Sequence, residues 1–304
     1  FLVLLCVFTS INTSIIYADI NKHFNFKNLT IEDGLSQSTV ETIFQDSKGY
    51  LWFGTNDGLD RYNGYEFKHY KFDKYDKNSL PNNYIVDIIE DKYGYLWIST
   101  IAGLSRINPE TDEIKNYYTD KNSGNLSDSN LWQLLYTKDN KLIASTVNGL
   151  NVYDEKNDTF TRVLGNEKDL PSQYIYSIEE GPNGHIWIGT DNGLVEVDKN
   201  FKVVKTYEDT VANSSVYEIE YDTNGYMWIC TLDNGLFKVD LDNNSIINYK
   251  SDSNKYSLPS DSVRAIMHDT QGNLWIGTEK GLCRYDYETD KLITYKKEAY
   301  QNNT

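Results

Sequence analysis

The stretch Asp269-Thr-Gln-Gly272-Asn-Leu-Trp275-Ile-Gly-Thr278-Glu-Lys-Gly281-Leu-Cys-Arg-Tyr-Asp286 decides the fold, because the chain repeats its pattern six times. Its central heptad, Gly272 to Thr278, aligns with Gly49-Tyr-Leu-Trp-Phe-Gly-Thr55, Gly94-Tyr-Leu-Trp-Ile-Ser-Thr100, Asn140-Lys-Leu-Ile-Ala-Ser-Thr146, Gly184-His-Ile-Trp-Ile-Gly-Thr190 and Gly225-Tyr-Met-Trp-Ile-Cys-Thr231. The tryptophan slot falls at Trp52, Trp97, Ile143, Trp187, Trp228 and Trp275, so the spacings are 45, 46, 44, 41 and 47 residues. That period fits the blades of a β-propeller and not leucine-rich or ankyrin solenoids.

Working outward from the heptad, each repeat opens with a strand such as Val40-Glu-Thr-Ile-Phe-Gln or Val263-Arg-Ala-Ile-Met-His. A turn of the form Asp-x-x-Gly follows at Asp46, Asp91, Asp222 and Asp269, where Asp accepts turn amides and Gly takes a positive φ. Alone it supplies too few oxygens for a calcium loop. The Leu-Trp-Ile-Gly-Thr run is a second strand, apolar at successive positions because neighbours cover both its faces. A Gly-Leu pair (Gly58, Gly103, Gly149, Gly193, Gly235 and Gly281) opens the third strand. A more polar fourth strand, for instance Phe67-Lys-His-Tyr, suits an exposed outer edge. Four such strands cannot bury their apolar faces alone, so the units must stack side by side. The expected fold is all-β: a propeller of four-stranded antiparallel blades, with Trp52, Trp97, Trp187, Trp228 and Trp275 as core of the repeat. The repeats span about 38–80, 83–126, 129–170, 173–212, 215–258 and 261–304 within a domain of 19–304.

Composition agrees with this reading. Tyr 25, Trp 6 and Gly 19 with only 5 Pro favour short strands and tight turns. A net charge of -16 argues against a surface that neutralises phosphates, so nucleic acid is excluded as a partner. The apolar run Phe1 to Phe8, followed by Ala18 before acidic Asp19, reads as an incomplete export signal or signal anchor over 1–18. The location expected is therefore the extracytoplasmic side of the cell membrane. Cys6 belongs to that leader, and Cys230 and Cys283 sit in apolar strand patterns that favour buried free thiols. His23, His69, His185 and His268 are scattered, which leaves no metal constellation and no His-based triad.

The repeat D-x-x-G-x-[LIM]-W-[IF]-[GSC]-T-x-x-G-L-x-[RV]-[YVI]-[DN] resembles the two-component regulator propeller repeat, in six copies from Phe24 to Tyr295. The third copy departs, losing the Trp and the turn Gly at Asp139-Asn140-Lys141. The resemblance implies an extracytoplasmic sensor region of a membrane signalling protein. It implies an output part, a histidine kinase or a diguanylate cyclase, reached through a transmembrane helix beyond this sequence. Separately, His23-Phe-Asn-Phe-Lys-Asn-Leu29 resembles a fourth strand, and Tyr295 to Thr304 aligns with Tyr249 to Ser257. At least one further blade, giving a ring of seven or more, is expected from these ends, with a six-bladed ring closed by the N-terminal strand as the alternative.

In a propeller, ligands meet the channel rim, where innermost strands and the turns between second and third strands converge. The strand candidates are Glu41, Asp87, Trp132, Gln133, Tyr176, Tyr217, Glu218 and Arg264. The turn candidates are Asn56, Asp57, Asp191, Asn192, Asp233, Glu279 and Lys280. Tyr, Trp, Asn and acids suit stacking and hydroxyl recognition, so the expected partner is a small molecule or oligosaccharide. A homodimer or protein-docking scaffold is the alternative without a small ligand. An enzyme is the other alternative: glycoside hydrolysis needs two carboxylates roughly 5 to 9.5 Å apart, for which Glu41, Asp87 and Glu218 qualify by type. The absence of a nucleophile elbow, metal cluster or P-loop weighs against catalysis in this chain, and no cofactor is expected.

Overall fold

The computed structural model describes residues 29–119, 125–165, 169–207, 211, 213–252 and 256–295. Blade 1 is β1 (Val40–Gln45), β2 (Leu51–Thr55), β3 (Gly58–Tyr62) and β4 (Phe67–Tyr70); blade 2 is β5 (Ile85–Glu90), β6 (Leu96–Thr100), β7 (Gly103–Ile107) and β8 (Ile114–Tyr117). Blade 3 is β9 (Leu131–Tyr136), β10 (Leu142–Thr146), β11 (Gly149–Asp154) and β12 (Thr159–Leu164); blade 4 is β13 (Ile175–Glu180), β14 (Ile186–Thr190), β15 (Gly193–Val197) and β16 (Val203–Thr206). Blade 5 is β17 (Val216–Tyr221), β18 (Tyr226–Thr231), β19 (Leu236–Asp240) and β20 (Ile246–Tyr249); blade 6 is β21 (Val263–His268), β22 (Leu274–Thr278), β23 (Gly281–Asp286) and β24 (Lys291–Tyr295). Each blade is a four-stranded antiparallel meander in chain order, and six of them form a six-bladed β-propeller. Their first strands, β1, β5, β9, β13, β17 and β21, pack one against the next along the series.

The Asp-x-x-Gly turn does more than reverse the chain. One carboxylate oxygen of Asp46 accepts the amides of Lys48 and Tyr50 at 3.0 and 2.9 Å, while Gly49 adopts φ 88°. The other accepts the Trp52 indole N–H at 2.8 Å. The same lock joins Asp91 to Trp97 (2.9 Å), Asp222 to Trp228 (2.8 Å) and Asp269 to Trp275 (2.9 Å). A buried indole donor thus gets an acceptor from the turn that precedes it, sparing the desolvation cost of an unmade bond. Blade 3 has Thr137 and Ile143 in these two places and no donor to satisfy. In blade 4, Gly181 replaces the aspartate and Trp187 Nε1 is buried without a partner among the described residues.

Second strands are the blade cores: β6, β10 and β14 are buried along their whole length. The residue just before the closing Thr of each second strand is small, Gly54, Ser99, Ser145, Gly189, Cys230 or Gly277, because blades converge there on the channel. A Cβ on Gly54 would come within 2.7 Å of Ile85 in the next blade. Cys230 and Cys283 are free and buried, as the strand pattern implies. The fourth strands differ from a purely polar edge: Tyr70, Tyr117, Phe160 and Leu292 are buried, their aromatic or aliphatic faces closing the outer core.

Blade 6 is covered differently from the rest. Trp275 is only partly buried and Met267 is 56 % exposed, as is Ile43 of blade 1 at 62 %. A Cβ on Gly277 would meet only Ala265 of its own blade. The export signal at 1–18, Cys6, the strand proposed for His23 to Asn28 and the tail after Tyr295 lie outside the described residues.

Candidate functional site

Every blade carries a bulge at the same place. Val40 pairs with Thr55 and Thr42 with Gly54, leaving Glu41 unpaired, and the same count leaves over Val86, Tyr176, Tyr217 and Arg264. In blade 3, Trp132 and Gln133 together oppose Ser145. A bulge breaks the two-residue alternation of a strand and re-aims the extra side chain. Here it does so at the channel mouth of all six blades, and it selects five of the strand residues singled out from the sequence: Glu41, Trp132, Tyr176, Tyr217 and Arg264.

These side chains meet across blades. Trp132 lies edge-on to Tyr176 with ring centroids 4.8 Å apart, Tyr176 lies 5.9 Å from Tyr217, and Trp132 reaches Tyr217 at 6.4 Å. Three consecutive blades thus present one continuous aromatic arc. The Arg264 guanidinium sits 5.8 Å from the Tyr217 ring centre. Glu41 accepts a hydrogen bond from Tyr84 at 3.1 Å. Burial, then the Glu41 charge, pushes up the hydroxyl pKa of both Tyr84 and Tyr217, so both remain proton donors at neutral pH. The Trp132 indole N–H is buried and has no partner among the described residues.

Below the arc lies a polar floor. Gln133 donates to Glu218 at 3.0 Å and accepts the Ile178 amide at 2.6 Å. Asp87 accepts the Leu134 amide at 2.7 Å and that of Ile88 at 2.8 Å. Asp87 therefore ties β5 to β9, and Gln133 ties β9 to β13 and β17, a use that their residue types did not disclose. Burial raises the Asp87 carboxyl to about 6 against the two amide bonds that favour its charge. Burial, followed by repulsion from Asp87, Glu220 and Glu179, raises Glu218 well above the ordinary range. Glu179 is pushed up to about 8 by burial and then by Glu220. Glu179 and Glu220 were missed in the sequence. They hold the fifth position of β13 and β17, where the other blades carry Phe44, Ile89, Leu135 and Met267, and that departure was the available signal.

The turn residues are less united. Asp57 pairs with Lys71 at 2.6 Å and accepts from Asn83 at 3.1 Å, which engages it within the fold. Asp191 holds a buried carboxylate oxygen without a partner among the described residues, as does the Asn56 side-chain carbonyl. The charge of Asp191 adds to burial in raising the Tyr176 hydroxyl pKa, which places it beside the arc. Asn192, Asp233, Glu279 and Lys280 are exposed on their turns. Among the described residues no group of three or more His, Cys, Asp or Glu is set to hold a metal ion, and no helix is long and apolar enough to cross a membrane.

A family described as "Two component regulator propeller" matches residues 34–57, 79–102, 169–192 and 257–280. A histidine kinase of Formosa agariphila, P4, is 38% identical over 180 residues, which is 58% of this chain and 13% of that protein. The extracellular domain assigned to a hybrid two component system of B. thetaiotaomicron superimposes with TM-score 0.62 at 25% identity, covering 84% of this chain and 41% of that one. Virginiamycin B lyase from Staphylococcus aureus shares the fold at TM-score 0.67 and 13% identity, over 86% of this chain and 85% of that one. The chain thus spans less than half the length of the histidine kinase and of the two component system domain. The four matched segments each run from the loop before an innermost strand through that strand, its hairpin turn and the second strand to the turn beyond, and over these segments the chain matches the repeat of the two-component regulator propeller family.

Proposed function

We propose that this chain is the extracytoplasmic, ligand-sensing propeller of a membrane-bound two-component-type signalling protein. It binds a small molecule or oligosaccharide at the rim formed by Trp132, Tyr176, Tyr217, Arg264 and Glu41, above the floor of Asp87, Gln133 and Glu218. The observation that carries this reading is the bulge repeated in every blade, which gathers an aromatic arc at one mouth of the channel. Aromatic faces stack on sugar rings, and the Tyr hydroxyls, Trp132 N–H, Glu41 and Arg264 offer donors and acceptors for hydroxyls. Two-component relatives support the signalling role, in which bound ligand favours one arrangement of the propeller and an output domain reads it. The exposure of Met267, at 56 %, supports the expectation of a further blade beyond blade 6.

The test is calorimetry and thermal shift on the purified chain against size-fractionated oligosaccharides. Saturable binding that raises the melting temperature, lost in Tyr176→Ala and Trp132→Ala, is the expected result. Ligand-independent association with protein, and no binding to any fraction, would leave the docking scaffold in its place. Release of new reducing ends, abolished by Glu218→Gln, would identify a hydrolase.

A further inference from the structure

The interfaces between blades 2 and 3 and between blades 5 and 6 are near-copies. Trp97 and Tyr153 meet at 4.9 Å and 63°, and Trp228 and Tyr285 at 4.7 Å and 66°. Tyr153 donates to Asp158 at 2.6 Å, and Tyr285 donates to Asp290. A cation lies over each tryptophan, Arg106 at 5.6 Å from Trp97 and Lys238 at 5.5 Å from Trp228. The two interfaces differ at Arg106 and Lys238, at Tyr93 and Asn224, at Tyr136 and His268, whose Nε2 lies 3.0 Å from the Tyr287 hydroxyl, and at the residue two positions after the tyrosine. Blade 6 has Tyr287 there. Its hydroxyl donates at 2.8 Å to Asp222 Oδ2, the oxygen that also takes the Trp228 indole, and its ring stands edge-on to Tyr285 at 4.8 Å.

Blade 3 has Glu155 instead, and Glu155 is drawn aside to Tyr93 (2.5 Å) and Lys92 (3.2 Å) on the neighbouring hairpin. What remains is a cavity of about 380 Å³ between the blades, walled by Tyr93, Tyr95, Trp97 and Tyr153 with Asp91 and Arg106. It lies among the Asp-x-x-Gly turns and is separate from the rim, and its volume falls in the usual range for ligand clefts.

We propose that this cavity is a second binding site, for a six-membered ring that carries a hydroxyl donor. Tyr287 shows what the same walls accept when the chain supplies the occupant itself: a ring against the tyrosine and a hydroxyl onto the lock aspartate. In blade 3 the corresponding hydroxyl comes from a separate molecule and donates to Asp91 Oδ2, beside the Trp97 N–H that this oxygen accepts at 2.9 Å. Asp91, Glu155 and Asp158 add acceptors that a polyhydroxylated ring would use more fully than a phenol.

The experiment titrates the whole chain by ligand-observed NMR with p-cresol, the isolated tyrosine side chain, in one arm and methyl β-D-glucopyranoside in the other. Binding of either probe is expected, weakened about tenfold or more in Glu155→Tyr, which installs blade 6's occupant, and unchanged in Tyr176→Ala at the rim. Stronger binding in the glycoside arm assigns a sugar, and stronger binding in the cresol arm assigns a phenol. In the unmodified chain, intermolecular NOEs from the bound probe should reach Trp97, a readout that does not depend on how Glu155→Tyr folds. No binding of either probe, undiminished binding to Glu155→Tyr, or NOEs to other tryptophans alone would overturn the assignment.

Discussion

Trp228 and Trp275 occupy the same slot of the same motif, each with its indole N–H on the aspartate of the preceding turn. Yet Trp228 is fully buried and Trp275 is not. Tyr285 and Tyr287 of blade 6 close over the environment of Trp228, whereas no described blade follows Trp275. The motif creates a tryptophan poised for burial, and the next blade along the ring completes it. Stability in this protein therefore belongs to interfaces between repeats as much as to repeats, as expected for units that contact only their neighbours.

The largest effect should come from deleting the two tryptophans. Trp228→Ala should cost about 4 kcal/mol of unfolding free energy, as large aromatic truncations in cores do, while Trp275→Ala should cost about 1–2 kcal/mol. Urea titrations compare them, and equal costs would mean that blade 6 is covered as well as blade 5. Next in size is the lock itself. Asp222→Ala strands the Trp228 indole and takes from the Tyr287 hydroxyl one of its two partners, leaving His268, and should cost about 2 kcal/mol, against about 1 kcal/mol for Asp269→Ala. Thermal melts of the two variants give the difference.

Close approach at the channel offers a smaller contrast. A Cβ on Gly189 would lie 2.5 Å from Val216 Cγ1 and 2.8 Å from its carbonyl, so Gly189→Ala should destabilise by about 1–3 kcal/mol through overpacking. Gly277→Ala meets nothing nearer than 3.4 Å and should be close to neutral. A loss in Gly277→Ala comparable to that in Gly189→Ala would break the comparison.

The most specific effect is on pH dependence. Blades 2, 4 and 5 carry the carboxyls raised in the fold, Asp87 to about 6, Glu179 to about 8 and Glu218 further up, whereas blades 1 and 6 have Thr42 and Ala265 at the positions of Asp87 and Glu218. Groups raised in the folded state bind protons that the unfolded chain releases near pH 4, so their contribution is complete below that pH and is lost as pH rises through 6 and then 8. Asp158 and Asp269 act oppositely. Burial works against their charge, but Lys115 for one and the Trp275 and Asn273 donors for the other hold them down at about 2, so their contribution disappears as pH falls from 4 toward 2. Urea midpoints should peak near pH 4 to 5 and decline toward pH 8, and Glu218→Gln should flatten the decline. A midpoint that climbs steadily to pH 8 would show that the floor carboxyls ionise freely.

Much of this was legible before any coordinates. The six heptads fixed the blade count of this stretch, and β1 and β21 begin and end where their apolar alternation says. Glu41, Trp132, Tyr176, Tyr217 and Arg264 were recoverable because repetition aligns the innermost strands, and one column of the alignment is polar or aromatic where core residues are expected. The Asp-x-x-Gly turn was only half understood. Its amide bonds are local and follow from the tetrapeptide, but its hold on an indole six residues on depends on the hairpin folding back.

Sequence by itself determined the period, the strand order within each blade and the residues offered at the rim, because these follow from local propensity and repetition. Only the tertiary structure decided which of them meet. Gln133 reaches Glu218 two blades away, Trp132 reaches Tyr217, and Glu155 leaves open the place that Tyr287 fills. Distances of that kind depend on how blades close around an axis, and no short stretch of chain encodes that closure alone.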